Sequence, residues 1–294
     1  MRIAIIGLGG VGGYISAYLA KSEHDLVCVA RGRHLKVIQK EGLKIIEDTK
    51  SFNVDLDVRE FKNLDGHFDI VLFCVKSYDL QNSYAYIKNF INEHSILLSF
   101  SNGVNNGDIL RKLSQSIVLD GCMYILSHIQ DSGVIRKEGK VFAAVFGGDN
   151  KSTNILKNIF EDAGLRVKTP SDIKTAIYKK YIFISAFASL TTYYDLSIAQ
   201  VYEKHFKEAK QLLSEIANVA FKQGIDISSE VDKSLDIAKS LPFEASTSMH
   251  LDFKNNKKME IVSLCFYIIK EAHKYNIGSP VMKKIYDKLI ELSD

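Results

Sequence analysis

The 294-residue chain holds no pair of cysteines or histidines spaced to grip a metal ion. Its four cysteines, Cys28, Cys74, Cys122 and Cys265, stand far apart, and its eight histidines form no H-x-x-x-H or H-E-x-x-H pattern. Two of the cysteines fall in apolar, strand-like runs ("LVCVA", "VLFCVK"), as buried reduced thiols of a cytoplasmic protein do. No metal is therefore expected. Long apolar runs are also missing. The longest, around Tyr181 to Leu190, is half of the ~20 residues needed to cross a bilayer, so no membrane partner is expected. Charge of one sign is missing too. The net charge of +3 provides no broad basic surface for nucleic acid, and "KNNKK" (Lys254 to Lys258) reads as a solvated loop. The N-terminus opens directly on a strand without a charged leader, which points to a cytoplasmic protein.

Two kinds of pattern follow one another along the chain. The first half alternates β-rich runs with helical segments. "RIAIIG", "DLVCVAR", "FDIVLFCVK" and "SILLSFSNG" read as strands, and their lack of alternation suits a parallel sheet covered on both faces. "SIVLDGCMYILS", "SGVIRKEG" and "VFAAVFGG" read as further strands joined by glycine-containing turns, and "LRVKTP" as a last short one. "VGGYISAYLAKS", "NGDILRKLSQ" and "NILKNIFEDAG" read as helices, the last closed by its glycine. From Ser171 onward strands give way to helical patterns over 171–193, 197–224, 229–240, 245–273 and 279–292, interrupted only by Pro242 and Pro280. The expected fold class is an α/β Rossmann-type N-terminal domain, residues 1–169, followed by an all-α C-terminal domain, residues 170–294.

Gly7-Leu8-Gly9-Gly10-Val11-Gly12 fits G-x-G-x-x-G between a strand and a helix, the context that gives the motif its meaning. Gly7 permits the tight turn, Gly9 lets a pyrophosphate approach the backbone, and Gly12 allows close helix–strand packing. The first N–H groups of the helix then attract phosphate. An NAD site usually carries an acid at the end of the second strand, to bond the ribose 2′-hydroxyl. Here the sequence is "VCVARGRH", with Ala30, Arg31, Gly32 and Arg33 and no carboxylate. Arg31 is able to pair with a 2′-phosphate that an acid would repel, so the expected cofactor is NADP(H).

"FCVKSYD" sets Lys76 just past a buried strand, where open α/β sheets bind ligands, and "LSFSNGV" does the same for Asn102 and Gly103. "STSMHLDFKNNKKMEI" carries Ser248, Met249, Asp252 and Glu260 in the helical half. Taken singly, such residues are commonly solvated, and Lys180 in "AIYKKYIF" reads as an exposed helix lysine. In this order, after a dinucleotide fingerprint, they resemble the ketopantoate reductase (2-dehydropantoate 2-reductase) family over almost the whole chain. The resemblance implies a Rossmann domain and a helical domain with the active site in the cleft between them, and NADPH-dependent reduction of a small-molecule 2-oxo acid. It implies that Lys180 donates a proton to the carbonyl oxygen as hydride arrives. Glu260 pairs with that lysine, and Ser248 helps to hold the substrate carboxylate. Asn102 and Lys76 lie around the nicotinamide and the cleft, Asn102 also placing substrate. A homodimer fits the helical half and the family.

The chain departs from the family where the family has asparagines. Those positions hold Ile184 and Ala188, one and two helical steps after Lys180, and Ile198 farther on; Tyr178 replaces a tryptophan, and Val262, Cys265 and Phe266 replace Asp-x-x-Asn-Gly. Residues at i, i+4 and i+8 share a helix face, so Lys180, Ile184 and Ala188 are expected to look into one cleft. Amides exchanged for aliphatic carbon favour a more apolar 2-oxo acid or carbonyl substrate, unless Ser185, Ser189, Thr191, Thr192 or Tyr194 supply the missing bonds. The rival of another class is a non-catalytic NADP-binding sensor. The retained Lys180, Ser248 and Glu260 argue against it, since a binder has no use for an acid–carboxylate pair.

Overall fold

Strand β1 (Arg2–Ile6) shows why the apolar runs do not alternate. Ile3 and Ile5 enter the core on one face of the sheet while Ala4 and Ile6 enter a second core on the other. Successive side chains of a strand point to opposite faces, so a strand covered on both sides must be apolar throughout. The computed structural model describes residues 1–293. Two compact units form: Met1–Ser101 with Asn105–Ile173, and Asn102–Val104 with the chain from Lys174.

The first unit is built on one sheet of ten strands. These are β1, β2 (Asp25–Val29), β3 (Leu43–Glu47), β4 (Lys50–Val54), β5 (Asp57–Arg59), β6 (Ile70–Phe73), β7 (Ile96–Ser99), β8 (Ile117–Asp131), β9 (Val134–Gly147) and β10 (Val167–Lys168). Their order is β4-β3-β9-β8-β7-β6-β1-β2-β5, with β10 on β9. The run from β8 through β7, β6, β1 and β2 to β5 is parallel; β8–β9 and β3–β4 are antiparallel. The unit's helices are α1 (Gly10–Leu19), α2 (Gly32–Glu41), α3 (Leu80–Ile87), α4 (Asn106–Leu113) and α5 (Asn150–Asp162). The stop of α5 is the one its glycine predicts. Gly164 takes φ +80°, its N–H bonds the Glu161 carbonyl, and the Leu165 N–H bonds that of Phe160.

One expectation fails in this unit. "SGVIRKEG" and "VFAAVFGG" are one strand, β9, and Gly139 lies within it rather than between strands. The pairing steps from Ile125↔Phe142 to Leu126↔Glu138, so Gly139, Lys140 and Val141 bulge out of a continuous ladder.

In the second unit a single core is formed by α6 (Ile173–Tyr194), α7 (Ile198–Lys204), α8 (Phe206–Lys222), α9 (Glu230–Ser240), α10 (Ser248–Lys254), α11 (Tyr267–Lys274) and α12 (Pro280–Glu291). Glu215 of α8 caps α12 from the side, its carboxylate accepting the Val281 and Met282 N–H groups at 3.0 Å each. The expected helix 197–224 is broken at His205, whose ring stacks on Tyr194. No glycine or proline marks the break. The expected helix 245–273 is also interrupted. It stops after Lys254, Asn256 takes a left-handed φ of +51°, and helix resumes at Ile261. Asparagine tolerates that conformation, and this is the signal that two adjacent asparagines carried.

Candidate active site

The glycine turn lies between β1 and α1. Gly7 has φ +97°, and a methyl group there would stand 2.9 Å from Val75 Cγ1. Gly12 is tighter still: its Cβ would stand 1.9 Å from the Gly7 carbonyl oxygen. Nothing lies within 4 Å of a Cβ at Gly9, so the outer side of the turn is open where a pyrophosphate would come. The first intrahelical bond of α1 runs from the Gly13 N–H to the Gly9 carbonyl, leaving the N–H groups of residues 10–12 at the helix mouth. These features fit a dinucleotide diphosphate. Leu8 is buried, and Val11 is half-buried.

Two supports of this turn escaped the sequence reading. Gly10 occupies a variable position of the motif, yet a Cβ there would stand 2.3 Å from the Ser127 carbonyl oxygen of β8. His34 of α2 accepts the Gly133 N–H on Nδ1 at 3.0 Å, so its Nε2 donates to the Leu8 carbonyl at 2.9 Å. That ring ties the glycine turn to the β8–β9 turn, and burial lowers its pKa below the usual histidine value. Neither contact has a local signal, because the partners are far away in sequence.

Arg31 precedes α2 with its side chain 90% exposed, and one guanidinium nitrogen lies 3.5 Å from the Asp79 carboxylate. Lys76 is half-buried three residues beyond β6, at the start of the short helical turn Ser77–Asp79. The loop after β7 is pinned in the same unit. Ser101 Oγ donates to the Val75 carbonyl at 2.6 Å, and the buried Asn106 amide donates to the Ser101 carbonyl at 2.8 Å.

The second unit brings together three of the predicted site residues. Lys180, in the second turn of α6, donates from Nζ to Asn102 Oδ1 at 3.1 Å. The amide nitrogen of Asn102 in turn faces Glu260 Oε2 at 3.5 Å. Ammonium and carboxylate are thus joined through one amide, although Asn102 and Glu260 are 158 positions apart. Glu260 is buried and Lys180 half-buried, while Lys179 is exposed. An ammonium held in this way is able to stabilise and protonate an oxygen on which negative charge develops. Ser248 is exposed at the first position of α10, behind the Thr247 cap.

The face expected to line one cleft divides. Lys180 and Ile184 keep accessible surface, but Ala188 is 1% and Ile198 4% exposed, both packed in the helical core. The hydroxyls near these positions are engaged elsewhere. Ser185 bonds the Leu264 carbonyl, and Ser189 the Ser185 carbonyl. Thr191 bonds the Phe187 carbonyl and Thr247, Thr192 the Ala188 carbonyl, and Tyr194 the Glu208 carboxylate.

Comparison with known proteins decides the lineage. The family model described as Ketopantoate reductase PanE/ApbA matches residues 3–148, and its C-terminal counterpart matches residues 172–293. The chain belongs to the ketopantoate reductase family. The Bacillus subtilis protein named uncharacterized oxidoreductase YkpB is 26% identical, over 98% of each chain. A PanE/ApbA family ketopantoate reductase from Ralstonia eutropha JMP134 superposes with a TM-score of 0.93 at 26% identity, covering 100% of this chain and 99% of that one. D-mandelate dehydrogenase, solved with NADH and anilino(oxo)acetate, shares the fold with a TM-score of 0.91 at 20% identity, over 100% and 99% of the chains. As a member of this family the protein is an NAD(P)-dependent oxidoreductase acting on CH–OH groups, with ketopantoate-reductase-type chemistry on a small 2-oxo acid. Among the described residues no single helix is long and apolar enough to cross a membrane.

Proposed function

We propose that the protein reduces a 2-oxo acid to the 2-hydroxy acid with NADPH, with 2-dehydropantoate as the first substrate to test. The observation that carries this reading is the chain of contacts from Lys180 through Asn102 to Glu260. NADPH supplies the hydride when bound; the glycine turn (Gly7, Leu8, Gly9, Gly10, Val11, Gly12) holds its diphosphate, with Arg31 and Lys76 around it. Asn102 Oδ1 fixes one N–H direction of the Lys180 ammonium, and the Asn102 amide nitrogen faces Glu260, which therefore orients the lysine through the amide. Lys180 donates its proton to the oxygen as the carbonyl becomes an alkoxide, and Ser248 helps to hold the substrate carboxylate. A general acid is typically worth about 10²- to 10⁴-fold. Lys180→Ala should lower kcat by about that factor while NADPH binding, followed by fluorescence titration, stays within about twofold. Unchanged turnover would rule the lysine out as the acid.

A second reading concerns the substrate's side chain. Ile184 stands one helical turn from Lys180, and the five hydroxyls that would compensate for lost asparagines are committed to other partners. These contacts favour a 2-oxo acid with an apolar side chain over the hydroxylated one of ketopantoate. A hydroxyl left without a partner costs about 1–3 kcal/mol, or roughly 5- to 150-fold in kcat/KM. A panel of aliphatic 2-oxo acids should then outperform ketopantoate, and Ile184→Asn should shift the preference towards ketopantoate. Family-typical turnover of ketopantoate by the wild type would overturn this second reading alone.

A further inference from the structure

The helix that resumes at Ile261 opens with a π turn, Val262–Phe266, before α11 continues it. A π turn contains one residue more than an α turn and leaves backbone groups out of the regular ladder; such turns cluster at functional sites. Here two carbonyls of the segment accept hydroxyls from α6. The Tyr181 hydroxyl donates to the Ser263 carbonyl at 2.8 Å and approaches that of Leu264 at 3.3 Å. Ser185 Oγ donates to the Leu264 carbonyl at 2.6 Å, and Ser189 Oγ lies 3.1 Å from Cys265 Sγ. Tyr181, Ser185 and Ser189 recur every four residues, all buried, and so form one stripe of α6 beside the one that carries Lys180 and Ile184.

Glu260 lies two residues before the π turn. Its carbonyl accepts the Leu264 N–H and the Ser263 hydroxyl, each at 3.1 Å. On the far side Ile268 and Ala272 of α11 are buried in the helical core, which fixes the rotation of that helix. Each residue of an α-helix advances about 100° and about 1.5 Å. Counted back from the fixed face, an α-helix without the extra residue would turn position 260 by about 100°, taking its carboxylate away from Asn102. Ordinary helix propensity does not favour the π turn, so it must be held by partners outside its own helix.

We infer that the hydroxyl stripe Tyr181–Ser185–Ser189 is a positioning device: by holding the π turn it aims Glu260 at Asn102 and Lys180. The general acid and the residues that place its carboxylate partner then lie on a single helix. Ser185 shows the specialisation. A buried helical serine commonly back-bonds to its own helix, as Ser189 does to the Ser185 carbonyl, whereas Ser185 gives its proton to the π segment.

The inference rests on the roles proposed for Lys180 and Glu260, and the test separates the two. Ser185→Ala, Tyr181→Phe and the double variant are compared with Glu260→Gln, Lys180→Ala and the combinations with Glu260→Gln. The stripe variants should lose about 10- to 100-fold in kcat, since misplacement by about 1 Å has effects of that size. KM for the oxo acid and the affinity for NADPH should stay within about twofold. The alkaline limb of kcat should move to lower pH, because a carboxylate nearby favours the charged ammonium. On the Glu260→Gln background the stripe substitutions should change kcat no further, whereas a merely structural role would be additive. Wild-type kcat in a folded stripe variant, or losses that add to that of Glu260→Gln, would overturn the positioning role. If the double variant does not fold, the single ones carry the same comparison. Should Lys180→Ala retain wild-type kcat, the proposed chemistry fails; should it be inactive while the stripe variants are normal, the stripe alone fails.

Discussion

Gly9→Ala and Gly12→Ala introduce the same methyl group three residues apart, and the structure gives them opposite consequences. At residue 12 the new Cβ would stand 1.9 Å from the Gly7 oxygen, 2.9 Å from Cys74 Cβ and 3.1 Å from the Gly7 carbonyl carbon. The nearest obstacle is backbone, so no side-chain rotation relieves it. To open that contact to the 3.0 Å below which real Cβ atoms essentially never come, the start of α1 must retreat by roughly 1 Å from the turn. The helix is packed through Gly12, Gly13, Tyr14, Ile15, Ser16, Ala17 and Leu19, so the retreat also opens voids behind it. Overpacking of this kind costs about 1–3 kcal/mol, here at the upper end because the clash is rigid. About 3 kcal/mol lowers the melting temperature by roughly 6–12 °C for a domain of this size.

At residue 9 a Cβ meets nothing within 4 Å, and φ −71°, ψ −166° suits alanine. Stability should change by no more than about 0.5 kcal/mol. The methyl group nevertheless occupies the open side of the turn, where the proposed diphosphate would touch backbone. Both variants should therefore lose NADPH affinity by about 10- to 100-fold, one by displacing the helix and the other by obstructing the ligand. Thermal melts of nucleotide-free protein and fluorescence titration with NADPH read the two effects separately. Gly9→Ala with wild-type affinity would refute the placement of the phosphates, and Gly12→Ala with a wild-type melt would refute the packing argument.

Arg31→Ala should weaken NADPH by about 10- to 100-fold, the worth of hydrogen bonds to a charged group, while leaving NADH within about twofold; equal losses for both nucleotides would show that Arg31 does not read the 2′-phosphate. His34 predicts a pH dependence. Burial depresses its folded pKa, and its Nδ1 must stay unprotonated to accept the Gly133 N–H. The unfolded chain therefore takes up the proton first, so this contribution to stability is complete above the ordinary histidine pKa of about 6.5 and declines as pH falls below it. Melting temperatures taken between about pH 5 and pH 7.5 should fall on the acid side, and His34→Gln should flatten that slope.

How much of this was legible depends on where each contact partner lies in the sequence. Strands β1, β2, β6 and β7 announce themselves because burial on both faces demands unbroken apolar runs. Strands β3 to β5, near the sheet edges, mix exposed and buried positions ("LKIIE", "KSFNV", "DVR") and carry no such signal. Gly139 reads as a turn by its type, but the long β8–β9 ladder absorbs it as a bulge. The glycine turn is legible because its steric demands are local. The supports at Gly10 and His34 depend on β8 and on the β8–β9 turn, and no local pattern encodes them.

The same distinction governs α6. Lys180, Ile184 and Ala188 share a helix face by spacing alone, yet spacing does not say where along that face the core begins. It begins before Ala188, so of the exchanged asparagine positions on α6 only Ile184 stays accessible. The serines next to them invite the idea that lost amides were replaced by hydroxyls. A helix advances about 100° per residue, however, so positions 185 and 189 point about 100° away from 184 and 188. That direction belongs to the π turn behind Glu260, where Ser185 and Ser189 find their partners. In the proposed reading one helix separates two tasks by a single residue step: its Lys180–Ile184 edge would serve chemistry and specificity, while on the neighbouring stripe Tyr181 and Ser185 bond backbone carbonyls of the π turn and Ser189 meets the Cys265 side chain. Asparagine restored at 184 would therefore alter substrate preference without disturbing Glu260, whereas alanine at 185 would disturb Glu260 without altering preference.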